Sequence, residues 1–174
     1  MSDTPAASSR GAILTSAPHR TMFLCGLLNL AVASAWWALH LAARFTGAPL
    51  YALDLRVAPI WAHSFLMLFV VFPAFFFGFL FTTYPRWMNG PEVPRGAYVA
   101  TGALLATATP AWIAGVHTGL VLQLAACMLA GAGLVTGLVA LLRVLIDAEK
   151  IVSHAVVTSI ALCVGCVATF GFAF

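Results

Sequence analysis

The feature that most constrains this chain is the length of its uncharged apolar stretches. From Ala97 to Leu142 there is no Asp, Glu, Lys or Arg, and 63% of all residues are hydrophobic against 7% charged. Such a composition leaves too little polar surface to coat a soluble globule of 174 residues. The chain is therefore predicted to be an integral membrane protein with the lipid bilayer as its surroundings. Its net charge of +3 is explained by membrane topology and indicates no nucleic-acid partner.

Five stretches are apolar enough to cross a bilayer, which takes about 20 residues per helix. They are Thr21–Ala43, Pro59–Tyr84, Ala97–Ala114, Thr118–Leu142 and Val152–Phe174. The predicted fold class is all-α, a polytopic integral membrane bundle of five transmembrane helices. It forms one domain over residues 19–174, with a turn at Ala114-Gly115-Val116 between the third and fourth helices. Residues 1–18 are rich in Ser, Ala, Pro and Thr and are predicted to be a disordered cytoplasmic tail.

The charges of the connecting segments predict the orientation, because Lys and Arg are enriched in cytoplasmic loops. Six cations fall on one side of the predicted bundle: Arg10, Arg20, Arg86, Arg95, Arg143 and Lys150. Only Arg44 and Arg56 fall on the other. The N-terminus is therefore expected in the cytoplasm. A cleavable signal peptide is not favoured, because the first apolar run continues through Trp36-Trp37-Ala38-Leu39 and is long enough to span.

The second span shows two different faces at about 100° per residue. A stripe predicted to face lipid consists of Phe65, Phe69, Phe72, Phe76 and Phe79. The opposite side, predicted to face other helices, consists of His63, Met67, Val70, Ala74, Gly78 and Phe81. Pro73 lies mid-span and cannot donate a backbone hydrogen bond, so a kink is expected there.

Two motifs in the first half of the chain resemble one family. His63 at the start of a transmembrane helix, followed by the run from Gly78 to Trp87, G-F-L-F-T-T-Y-P-R-W, resembles the signature of the NnrS family. Pro18-His19-Arg20 with Phe23 resembles the family's start. Family members commonly carry H-x-H-E where this chain has Trp61-Ala62-His63-Ser64, so one histidine and the acidic residue are absent. The resemblance implies a bacterial inner (cytoplasmic) membrane protein with haem and copper, linked to nitric oxide and denitrification.

The predicted topology also places three histidines at one membrane level, His40, His63 and His117. Imidazole binds haem iron and copper, and histidines on facing helices commonly hold a b-type haem. We therefore predict His40, His63, His117 and Arg44 as cofactor-binding residues for haem b and/or copper, with Arg44 near a propionate. Met67 lies one turn from His63 and, with it, is predicted as a metal ligand, because a thioether suits Cu(I).

Simpler readings exist for each of these residues. A histidine near the interface can be solvated, and Arg44 can extend to the interface. Cys163 and Cys166 lie one turn apart and could hold copper or form a disulfide, but small apolar side chains in a helix are the favoured interpretation. The tryptophans at 36, 37, 61, 87 and 112 fit an aromatic belt at the membrane interfaces.

The sequence does not favour an enzyme. It has no nucleotide-binding loop, no Ser/His/Asp arrangement and no paired carboxylates, so no catalytic residue is predicted and any chemistry would come from a bound cofactor. The predicted function is that of an NnrS-like protein in nitric-oxide or nitrosative-stress handling. The alternatives are a small-solute or metal transporter and a structural or assembly subunit. Because the chain stops at Phe174 without a polar anchor, further transmembrane helices or subunits are expected beyond it.

Overall fold

The protein is a bundle of long helices. The computed structural model describes residues 14–47 and 55–172, and these contain five helices long and apolar enough to cross a membrane and no β-strand. The helices are α1 (Pro18–Thr46), α2 (Pro59–Met88), α3 (Arg95–Thr118), α4 (Leu120–Ile146) and α5 (Ser153–Gly171). This confirms the predicted all-α polytopic membrane fold. Residues 1–13 of the predicted tail and residues 173–174 lie outside the described part of the chain.

Local residue choice explains where the helices begin and end. Pro18 and Pro59 occupy the first positions of α1 and α2, where the missing N–H costs nothing. Gly47 after α1 and Asn89 after α2 adopt left-handed backbone conformations, with φ of 64° and 52°. These are common helix C-terminal conformations for glycine and asparagine.

The turn between α3 and α4 lies later than predicted. Gly119 alone separates the two helices, and residues 114–116 belong to the last part of α3. A Cβ on Gly115 would lie 2.5 Å from the backbone nitrogen of Gln123. Gly115 therefore permits close packing of the two helices rather than forming their turn.

The second helix is the centre of the bundle. In its most apolar 18-residue window, 61% of the residues are buried, against 22% for α5. Glycines let its neighbours approach. Gly78 of α2 lies under Met22 and Phe23 of α1, and the ring of Phe77 lies over Gly137 of α4. Close contact at small residues replaces the hydrophobic drive that is missing between helices in lipid.

A π-helical turn, Met67–Val71, interrupts α2 just before Pro73. It accommodates the proline, because the N–H of Phe72 bonds to the carbonyl of Met67 five residues back. The extra residue in the turn rotates the two halves of α2 by about 100° relative to each other. The predicted single phenylalanine stripe is therefore wrong. Its last three members (Phe72, Phe76, Phe79) are exposed as predicted, but its first two (Phe65, Phe69) are buried.

Consecutive helices run in opposite directions, so the helix starts and helix ends meet at two opposite ends of the bundle. We call them the His63 end, where α2 begins, and the Tyr84 end, where α2 finishes. At the His63 end, the backbone N–H of Arg56 bonds to the carbonyl of Val116, 3.1 Å away. At the Tyr84 end, the N–H of Lys150 bonds to the carbonyl of Met88 at 3.3 Å.

Candidate functional site

A cluster of histidine and tryptophan rings lies at the His63 end. Trp37 of α1 stacks on His63 of α2, with ring centroids 4.5 Å apart, and on His40 at 5.6 Å. Trp36 contacts His40 and His117 of α3, each at 6.2 Å between centroids. Three helices therefore bring His40, His63 and His117 around two tryptophans. We call these five residues the His–Trp cluster.

Trp36 fixes the tautomer of His117. Its indole Nε1–H donates a hydrogen bond to Nε2 of His117 over 3.1 Å. A neutral imidazole has one acceptor nitrogen and one N–H, so the proton of His117 must be on Nδ1. That Nδ1 is buried and has no hydrogen-bond partner. The only lone pair of His117 available to a metal is thus held by Trp36 in this conformation.

His63 is held by stacking and keeps one nitrogen unused. Its Nδ1 is buried without a hydrogen-bond partner, while its ring lies 21° from parallel to that of Trp37. A buried polar atom without a partner costs free energy, roughly 1–3 kcal/mol, and calls for an explanation. One explanation is a ligand that uses this nitrogen.

Trp112 and Phe65 form a second aromatic group beside His63, which the sequence did not predict. Trp112 is 1% exposed, and its indole N–H donates to the carbonyl of Ala62 at 3.0 Å. Its ring stacks on Phe65 at 3.9 Å. The aromatic-belt interpretation is therefore wrong for Trp112, which packs against the turn of α2 that carries His63. Trp112 lies two residues from the end of the predicted span Ala97–Ala114, so no local pattern indicated its burial.

The remaining predicted site residues differ in their placement. Met67 is half-buried and begins the π turn, and its N–H is shared by the carbonyls of His63 and Ser64. Arg44 is exposed in the last turn of α1, one turn beyond His40. No hydrogen bond or ring contact between the described residues joins Arg44 to the His–Trp cluster.

The other histidines and cysteines lie elsewhere. His154 packs edge-on against Trp87 at 4.6 Å at the Tyr84 end, and His19 lies in the first turn of α1. Cys163 is exposed and Cys166 is buried, and both are free thiols. Across residues 14–47 and 55–172, no group of three or more His, Cys, Asp or Glu side chains is arranged to hold a metal ion.

A buried polar network joins α1 and α3 deeper in the bundle. Asn29 is 4% exposed and accepts a hydrogen bond from Thr109 at 2.9 Å. It donates to the sulfur of Cys25 at 3.3 Å, and that thiol donates to the carbonyl of Gly102 at 3.2 Å. Such polar contacts between helices add directional attraction in lipid. The network fixes the rotation of α1, and so which way Trp36 faces.

The residues of the T-T-Y-P-R-W motif have separate structural tasks. Thr82 and Thr83 bond back to helix carbonyls, each at 3.0 Å. The hydroxyl of Tyr84 donates to the carbonyl of Ala155 at 2.9 Å and lies 2.6 Å from Ser159 of α5. Tyr84 therefore holds α2 to α5, while the two threonines bond within α2 itself.

Comparison with known proteins supports the resemblance over almost the whole chain. The sequence profile described as NnrS protein matches residues 13–174, well beyond the first half that carried the motifs. No curated protein and no solved structure matches the chain significantly. With five membrane-length helices and a profile match over nearly all its length, the chain belongs to the NnrS family.

Proposed function

We propose that this chain binds haem and/or copper at the His–Trp cluster and acts in nitric-oxide or nitrosative-stress handling in the bacterial inner membrane. The observation that carries the proposal is the gathering of His40, His63 and His117 from different parts of the chain around Trp36 and Trp37. Ionisable side chains within spanning helices are costly and are functional candidates by default. The family resemblance supplies the expectation of haem, copper and nitric oxide.

The residues present fit such a group through His63. Its buried, unpartnered Nδ1 can present a lone pair without breaking any hydrogen bond. His117 can become a second ligand only when Trp36 releases its Nε2. His40 stacks on both tryptophans and would respond to any shift of their rings. Met67 and Arg44 support the proposal less, because no hydrogen bond or ring contact among the described residues joins either side chain to the cluster.

The bound haem or copper would supply the chemistry, and the protein would position it and exclude water. Bound iron or copper supplies binding of a diatomic gas and one-electron transfer. The chain orients His63 by the Trp37 stack, and the buried rings of Trp112 and Phe65 exclude water from the turn beneath it. A dry, aromatic surrounding is suited to an uncharged gas such as nitric oxide.

The test is the cofactor content of the purified protein. We expect the wild type, expressed with added haem and copper, to show a Soret band, bound copper, or both. His63→Ala removes the ready ligand and should lose most of that signal, about tenfold or more, because metal sites depend strongly on each ligand. The measurement is an optical spectrum together with elemental analysis of the same sample.

A matched control variant is His154→Ala. His154 is also a ring-packed histidine at a helix end, but it lies at the Tyr84 end against Trp87. It should keep the wild-type cofactor content. A wild type with neither haem nor copper, or an equal loss in both variants, would contradict the proposal.

A further inference from the structure

A cavity of about 610 Å³ lies at the Tyr84 end, on the opposite side of the bundle from the His–Trp cluster. Its walls are the start of α1, the last turns of α2 and the loop that leads into α3. Both sequence motifs meet there, because Pro18 and His19 line it together with Thr82, Pro85 and Arg86. Its volume is typical of small-molecule sites, roughly 300–1,000 Å³. Arg86, the exposed arginine of the T-T-Y-P-R-W motif, therefore lines a cavity.

The charged side chains of the cavity favour an anion. Arg86 and Arg95 line it from two different segments, and Glu92 is the one carboxylate among its lining residues. The net charge of the lining is therefore positive even when His19 is neutral. A guanidinium group presents several N–H donors in a plane and binds phosphate oxygens in pairs.

Contacts between α3 and the chain before α1 hold the wall in place. Arg95 donates to the hydroxyl of Thr15, and the phenol of Tyr98 donates to the Thr15 carbonyl at 2.8 Å. The residue before each helix, Ala17 or Pro94, lines the cavity, and neither helix start has a side-chain cap. Two helix N-termini add partial positive charge to that of the arginines.

The cavity is also partly apolar. Phe81 and Val93 line it beside the charged groups, and it lies where the transmembrane helices end. We propose that it binds a phosphate group, carried either by the headgroup of an anionic phospholipid or by a soluble phosphate compound. The arginines would contact the phosphate oxygens, while the apolar wall would contact the rest of the ligand.

The experiment uses the full chain in neutral detergent and phosphate-free buffer. One arm titrates inorganic phosphate by calorimetry. The other counts bound phosphatidylglycerol and phosphatidylcholine by native mass spectrometry. We expect saturable binding in at least one arm, with phosphatidylglycerol above phosphatidylcholine if the lipid is the source. Binding in the first arm alone identifies a soluble ligand, and binding in the second alone identifies a lipid.

Variants that change one charge distinguish binding in this cavity from nonspecific attraction to surface charge. Arg86→Gln should weaken binding about tenfold, the usual worth of a charge-assisted hydrogen bond. Because Arg86 is exposed, its replacement should leave the helix content by circular dichroism unchanged. Glu92→Gln should strengthen binding. Arg143→Gln is the control, since Arg143 is exposed at the same end and does not line the cavity.

Three results would overturn the proposal. They are no saturable binding in either arm, an equal loss in Arg86→Gln and Arg143→Gln, and weaker binding in Glu92→Gln. None of them bears on cofactor content, so this test and that of the His–Trp cluster can fail separately.

Discussion

At the residue scale, the most informative contact is the hydrogen bond from Trp36 to His117. The indole occupies the acceptor nitrogen of His117, whereas the buried Nδ1 of His63 has no hydrogen-bond partner. The bond also stabilises α1 against α3 in the absence of any ligand. Trp36 therefore competes with a metal for the same nitrogen.

Because Trp36 and a metal compete for Nε2 of His117, removing the indole donor should raise the affinity for a metal. Trp36→Phe keeps an aromatic ring but removes the donor, and it should raise the affinity for Cu(I) roughly fivefold, the equivalent of a net hydrogen bond of about 1 kcal/mol. The measurement is a competition titration against a chromogenic Cu(I) chelator. Trp61→Phe is the control, because Trp61 is exposed at the same end and contacts Phe172 instead. A lower affinity in Trp36→Phe would mean that the indole positions His117 as a ligand.

The histidines show how far sequence reasoning reaches at this scale. Their common depth follows from the helix register, so placing His40, His63 and His117 at one membrane level required only the correct spans. The bond to Trp36 depends on how α1 is rotated about its axis against α3. That rotation is set by contacts such as Asn29 with Thr109, which are distant in sequence and have no local pattern.

At the element scale, the π turn of α2 decides which residues face the bundle. Pro73 predicted a disturbance, but proline can be accommodated by a kink, a missing bond or a wider turn, and helical periodicity does not distinguish them. The rotation it introduces moved Phe65 and Phe69 inward against Trp112 and Phe172. The buried face of a helix on one side of a π turn therefore does not predict the buried face on the other side.

Beyond the π turn, α2 packs against α4 through glycine. A Cβ on Gly137 would lie 2.4 Å from the ring of Phe77, which is fully buried. Gly137→Ala should therefore destabilise the protein by about 1–3 kcal/mol, since a packed core cannot absorb the added methyl group. The measurement is the free energy of unfolding in a detergent titration. Gly165→Ala is the control, because a Cβ there meets no atom within 4 Å. Equal stability of the two variants would mean that this α2–α4 contact is looser than described.

At the scale of the whole molecule, the two ends of the bundle differ in charge and in content. Five of the seven described cations lie at the Tyr84 end, where Arg86 and Arg95 line the cavity: Arg20, Arg86, Arg95, Arg143 and Lys150. Arg44 and Arg56 lie at the other end with the His–Trp cluster. The positive-inside tendency would put the cavity in the cytoplasm and the cluster toward the opposite face. The number of transmembrane helices could be predicted from the length of the apolar stretches alone. The orientation of the bundle in the membrane is predicted from the charges instead, and it can be tested separately.

Two cysteine variants decide the orientation. Thr118→Cys lies at the His63 end and Asp147→Cys at the Tyr84 end, both at exposed positions, and neither removes a cation that sets the topology. In spheroplasts, a membrane-impermeant maleimide should label Thr118→Cys at once and Asp147→Cys only after lysis. The parent chain measures the background of its native thiols, whose described side chains all lie within the helices. Labelling in the reverse order would put the cavity on the outer face. Soluble phosphate compounds of the cytoplasm could then not reach Arg86, and the His–Trp cluster would meet nitric oxide from the cytoplasmic side.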